Sequence, residues 1–103
     1  MRAGDSTTKL TADSVRGWLS DRSGWKRQSN KLTKEFRFSH FRDSIVFVNR
    51  VATLADTYKH HPDIDVRNGR VTLALSTSVA GGITTRDLNL AEQIDFATSL
   101  GRD

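Results

Sequence analysis

The chain contains no cysteine. That excludes disulfides, thiolate catalysis and any cysteine-ligated zinc or iron–sulfur site. No run approaches the roughly 20 consecutive apolar residues that a membrane helix needs. The opening MRAGDSTTK is polar and lacks the apolar core of a signal peptide. Residues 1–9 read as a flexible tail, and a cytoplasmic protein is the expectation. Acidic residues are scarce in one stretch: over residues 22–42, Arg22, Lys26, Arg27, Lys31, Lys34, Arg37 and Arg42 are balanced by Glu35 alone. Such a patch can face phosphate, but no nucleic-acid reading motif accompanies it, so a solvated strand face or an attraction for a small anion explains it as well. Proline occurs once, at Pro62.

What remains is enough for one domain. The 103 residues carry a net charge of +4 and are 36% apolar, with five Phe and two Trp. A chain of this length buries one core and shapes only a shallow pocket unless copies assemble. The folded unit is expected over residues 10–101.

Thr11 has the position of a helix N-cap, and Leu10 and Val15 have the spacing of a hydrophobic staple. Val15, Trp18 and Leu19 share one face, so a helix is expected near 11–20, ended by Ser23-Gly24. Leu32, Lys34, Phe36 and Phe38 alternate with Thr33, Glu35 and Arg37, the period of a half-buried strand. Trp25 to Gln28 would pair with it across a turn at Gln28–Asn30. Ser39 can cap the next helix, about 41–59, with Asp43 near its positive end. That helix has two apolar stripes: Phe41, Ile45, Val48, Ala52 and Ala55, then Phe47, Val51, Leu54 and Tyr58. The second stripe is the candidate for packing on a partner chain.

Pro62 ends the helix region, because the residue before a proline avoids the α conformation. IDVR and RVTLALST read as two strands, and Asn68-Gly69 between them suits a two-residue type I′ turn. Thr84-x-x-Asp87 is a capping-box variant opening a last helix, whose apolar side is Leu88, Leu90, Ala91, Ile94 and Ala97 and whose stop is Gly101. The order α-β-β-α-β-β-α predicts an α+β fold, a four-stranded antiparallel sheet with three helices packed on one face.

Chemistry concentrates in His60-His61-Pro62. Asp63, Asp65, Asn68 and Gly69 have part of a calcium loop's spacing, but Asn68 stands where the loop needs glycine and Ala74 where it needs glutamate. Adjacent histidines splay apart on a regular element, so with His40 they make a metal site only by an accident of folding. No nucleophile elbow is present. General acid–base chemistry fits better, since two imidazoles titrate near neutrality and can divide donor and acceptor roles. Asp56 lies one helical turn before His60, within reach to orient it. Read alone, the stretch fits either an acid–base pair or a surface turn.

HHPDIDVRNGRVTLALST followed by AGGITTRDLNLAEQID resembles the pterin-4a-carbinolamine dehydratases. The resemblance runs back through Gly24-Trp25, Phe36-x-Phe38 and the middle helix, in the same element order, and covers the chain from about residue 10. It implies dehydration of a 4a-hydroxytetrahydropterin to a quinonoid dihydropterin, which recycles the tetrahydrobiopterin cofactor of aromatic amino-acid hydroxylases. It implies no metal or organic cofactor, and assembly into homodimers or homotetramers. By the family's pattern His60 and His61 are the acid–base pair, Pro62 shapes the pocket floor, Asp56 and Asp87 match acidic positions, and Trp25 is a pocket-side or a core aromatic. Two positions depart. Asn68 replaces an aromatic, and Ser78 replaces a third histidine, sometimes tryptophan. Asn68 suits the hairpin turn, whereas local structure gives no reason for Ser78, whose hydroxyl hydrogen-bonds but is a poor acid. The resemblance therefore extends to relatives with binding roles: a dimerisation cofactor of a homeodomain transcription factor, which retains activity, and Rubisco assembly factors of carboxysome gene clusters, which depart from the catalytic pattern.

Overall fold

A computed structural model describes residues 8–100. Most of the expected tail and the expected stop at Gly101 lie outside the described residues. The elements are α1 (Ala12–Leu19), β1 (Lys26–Gln28), β2 (Lys31–Arg37), α2 (Phe41–Tyr58), β3 (Asp63–Arg67), β4 (Arg70–Leu75) and α3 (Thr85–Leu100). A single 3₁₀ turn, Ser78–Ala80, lies between β4 and α3. The sheet is antiparallel throughout, in spatial order β1-β2-β4-β3. The α-β-β-α-β-β-α order expected from periodicity is the order found.

Register explains which side of the sheet is covered. Leu32 lies beside Leu75, and Phe36 beside Val71, with Lys34 opposite Leu73 between them. These residues share one face, because side chains alternate along a strand. Together with Val15 of α1, Phe47 and Val51 of α2 and Leu90, Ala91 and Ile94 of α3 they form the buried core. Each such side chain contributes about 1.5–3 kcal/mol when fully buried. Lys34 is the exception on this face. Its ammonium reaches Asp95 Oδ1 at 2.9 Å and lies over the Trp25 and Phe36 rings, so stem and charge are both accommodated.

Thr11 caps α1, accepting the Ser14 N–H at 3.1 Å. Leu10 donates its N–H to the Ile83 carbonyl at 2.8 Å, tying the chain start to the loop before α3. Three expectations are corrected. The residue at the α2 N-cap is His40, not Ser39, and it makes no side-chain cap bond; its extended backbone places its ring 3.5 Å from Asp43. The Asn68-Gly69 turn is not type I′. Asn68 takes φ 58°, but Gly69 is not in the left-handed region. Glycine is needed there for a different reason: the Phe38 N–H donates to the Gly69 carbonyl, and a Cβ on Gly69 would stand 2.3 Å from the Phe38 carbonyl oxygen. Finally, the two stripes of α2 divide differently from expectation. Phe47 and Val51 of the second stripe and Ala55 of the first are buried, while Phe41 and Ala52 of the first and Tyr58 of the second are exposed and Ile45 and Val48 half-buried. The sheet claims the stripe centred on Phe47 because Phe36 and Phe38 stack on that ring at 4.6 and 5.2 Å.

The basic stretch is mostly neutralised within the fold. Arg22 pairs with Glu92, Lys31 with Asp63, Lys34 with Asp95 and Arg37 with Glu35. Paired cations on a mixed surface offer phosphate little net field. No helix among the described residues is long and apolar enough to cross a membrane.

Candidate functional site

The site begins where α2 ends. Lys59 takes the left-handed conformation at φ 54° and ψ 44°. Its N–H donates to the Asp56 carbonyl, and the His60 N–H to the Ala55 carbonyl. This is the paired closure of a Schellman motif, built here on a lysine where glycine is usual. Arg86 from α3 secures it from outside, donating from Nη2 to the Lys59 carbonyl at 2.6 Å. A cation on the last carbonyls also suits the negative end of the helix. His60 and His61 follow at once, and Pro62 leads into β3.

The two histidines have opposite environments. His60 is 8% exposed and His61 70%. His60 Nε2 lies 2.5 Å from Asp87 Oδ1, and the Asp87 side chain is fully buried. His61 Nε2 lies 3.2 Å from Asp56 Oδ1, with Asp56 80% exposed. The expected pairing of Asp56 with His60 is thus corrected. The left-handed turn at Lys59 rotates His60 inward, away from the helix, and brings His61 back over it.

Asp87 does two jobs. It caps α3, accepting the Thr84 N–H on Oδ2 at 2.9 Å, as the capping-box spacing predicts. It also accepts from the Thr77 hydroxyl on Oδ2 at 2.9 Å, leaving Oδ1 for His60. The Thr77 and Thr84 hydroxyl oxygens are 2.8 Å apart, and both residues are buried. Both oxygens of this buried carboxyl group therefore have hydrogen-bond partners.

The other expected site residues scatter. Ser78 is exposed on the 3₁₀ turn, directly after Thr77. Pro62 is half-buried beside the histidines. Trp25 is buried, stacks edge-on with Trp18 and Phe36, and donates its indole N–H to Asp95 Oδ2 at 2.8 Å; its contacts are those of a core aromatic. Thr77 and Arg86 were not anticipated. Thr77 had a signal: it continues the inward parity of Val71, Leu73 and Leu75 but is polar, and a polar residue on a buried parity implies a buried partner. Arg86 had none, since its partner is a backbone carbonyl far away in the chain. Among the described residues no group of three or more potential metal-ligating side chains comes together.

Comparison with known proteins identifies the family. Residues 8–97 match the family described as "Pterin 4 alpha carbinolamine dehydratase". A Roseiflexus sp. (strain RS-1) protein named "Putative pterin-4-alpha-carbinolamine dehydratase" is 47% identical over 88 residues, 85% of this chain and 95% of the relative. A Mycobacteroides abscessus protein of the same name is 45% identical over 93 residues, covering 90% and 97%. The crystal structure of a transcriptional coactivator/pterin dehydratase from Brucella melitensis superimposes with a TM-score of 0.81 at 26% identity, covering 85% of this chain and 96% of that one. A pterin dehydratase-like protein described as a RuBisCO assembly factor in the alpha-carboxysome shares the fold, with a TM-score of 0.61 at 22% identity over 72% of this chain and 88% of that one. With residues 8–97 matched by the family and relatives 45–47% identical over most of their length, the chain belongs to the pterin-4α-carbinolamine dehydratase family.

Proposed function

We propose that the protein dehydrates a 4a-hydroxytetrahydropterin to the quinonoid dihydropterin and so supports tetrahydrobiopterin recycling. The observation that carries this reading is the unequal pair of histidines, one buried on Asp87 and one exposed beside Asp56. Dehydration needs two different proton transfers. The C4a hydroxyl takes a proton, the C–O bond breaks, and the electron pair leaves with water. The neighbouring ring nitrogen gives up its proton, and those electrons form the new C=N bond. One proton enters and one leaves, so no oxidant or reductant is needed. His60, held at Nε2 by Asp87, offers Nδ1 as base; Nδ1 has no hydrogen-bond partner among the described residues. His61, exposed and beside the Asp56 carboxylate, is placed to carry the proton to the hydroxyl. Pro62 fixes the direction in which the pair points, and the exposed Ser78 hydroxyl is available to hydrogen-bond the substrate.

Turnover tests this directly. The carbinolamine is generated by an aromatic amino-acid hydroxylase, and quinonoid dihydropterin is followed with and without the protein. Acceleration is expected, and His60→Ala or His61→Ala should each lose about 10²–10⁴-fold. Folded protein that leaves the spontaneous rate unchanged would sink the reading. Ser78 is the feature that favours a second reading, a binding or assembly module in which the family's third histidine has gone. If the protein is silent, Ser78→His tests whether that position alone removed the activity.

The same reading includes self-association. On α2, Phe41 and Ala52 are exposed and Ile45 is half-buried, and a second copy of this helix, in a homodimer or homotetramer, supplies a matching apolar face.

A further inference from the structure

We propose that Thr77 is a positioning residue for the histidine pair, acting through a one-way relay of hydrogen bonds that fixes the proton of His60. The direction of the relay follows from what each group is able to do. The Arg86 backbone N–H only donates, and it donates to Thr84 Oγ1 at 3.2 Å. The Thr77 hydroxyl donates to Asp87 Oδ2. With its one hydrogen used there, Thr77 meets Thr84 only as acceptor, so the Thr84 hydroxyl donates across the 2.8 Å between them. Every hydrogen in the chain from Arg86 through Thr84 and Thr77 therefore points towards Asp87. The Thr84 backbone N–H converges on the same Oδ2.

Two donors on Oδ2 determine what Oδ1 does. They hold the carboxylate by one oxygen, so it does not rotate. Oδ1 is left as a pure acceptor at 2.5 Å from His60 Nε2. His60 then donates from Nε2, and in the neutral imidazole Nδ1 is the bare nitrogen. The relay thus selects the tautomer that makes His60 the base of the pair, as orienting carboxylates do for other catalytic imidazoles. Thr77 touches neither ring and contributes through Asp87. All four groups, Thr77, Thr84, Asp87 and His60, are buried, so water does not substitute for a missing hydroxyl.

The test uses the full chain with ¹⁵N-labelled histidine and long-range ¹H–¹⁵N spectra. In the wild type His60 should carry its proton on Nε2. In Asp87→Asn the two donors keep the amide oxygen at the Oδ2 position, the amide NH₂ faces His60, and the proton should move to Nδ1. Thr77→Val, which keeps the shape and removes the hydroxyl, should mix the two tautomers. It should also lower kcat about tenfold with KM within about twofold, and Thr77→Ser should restore both. A wild-type proton on Nδ1 would falsify the relay. So would a folded Thr77→Val protein with unchanged tautomer and kcat. If Thr77→Val does not fold, the wild-type spectrum and the Asp87→Asn reversal still decide. The turnover arm rests on the dehydratase reading and the spectra do not. Absence of turnover in every form, with the expected tautomers, would remove that reading and leave the relay standing.

Discussion

His60 and His61 are neighbours in sequence, yet mutation should separate them. His60→Ala removes the buried partner of Asp87 Oδ1 and leaves that oxygen unpaired in the core. That should cost about 3 kcal/mol in urea unfolding. His61→Ala removes an exposed ring and should stay within about 0.5 kcal/mol of wild type. Equal stabilities would contradict the buried His60–Asp87 pair. Glu92 gives a second prediction at this scale. The Trp18 indole N–H first, and then the Arg22 guanidinium, hold its carboxyl below the ordinary carboxylate range, against a smaller upward push from burial. A folded pKa depressed below the unfolded one contributes stability above the unfolded value and loses it as pH falls through the folded value. Glu92→Gln should therefore flatten the fall in stability as pH drops through and below the ordinary glutamate range. An unchanged acid limb would show that the Trp18–Glu92–Arg22 cluster carries none of it.

At the scale of elements, the ends of α2 and of the β3–β4 hairpin do most of the positioning. Gly69 sits where the hairpin touches the end of β2, with no room for a side chain. Gly69→Ala should destabilise by more than about 1 kcal/mol, since the Phe38 backbone would have to move. A thermal melt matching wild type would show that the turn yields instead. The hairpin signal Asn68-Gly69 was legible in the sequence, and the pairing of β3 with β4 follows from it. The turn type was not legible, because it depends on how Phe38 approaches from a strand thirty residues earlier. The capping box at Thr84 and Asp87 was legible in the same local way. That its carboxylate also holds His60 was not, since α2 and α3 meet only in the folded chain.

On the scale of the whole molecule, the exposed apolar residues of α2 predict self-association. Phe41→Asp should shift the protein towards monomer in sedimentation while leaving its circular dichroism unchanged, because Phe41 lies outside the core. A wild-type protein that sediments as a monomer would show that this face is covered by something else. Periodicity exposed both apolar stripes and offered the second, wrongly, to a partner chain. The choice was made by the sheet, which offers Phe36 and Phe38 to Phe47 and nothing comparable to Phe41. The basic run over 22–42 likewise looked like a patch in one dimension and is a set of ion pairs in three.

The sequence by itself determined the element order, the caps of α1 and α3, the hairpins and the family, because these rest on neighbours within a few positions and on a motif read in order. It also singled out His60, His61 and Asp87 as candidate site residues. Only the tertiary structure decided how they pair. Asp56 goes to His61 and Asp87 to His60 because the left-handed Lys59 turns consecutive side chains to opposite sides of the backbone, one into the core and one over the helix. Backbone handedness at a non-glycine residue is set by packing around it, here by Arg86 on the Lys59 carbonyl, and no local pattern in the sequence encodes that contact.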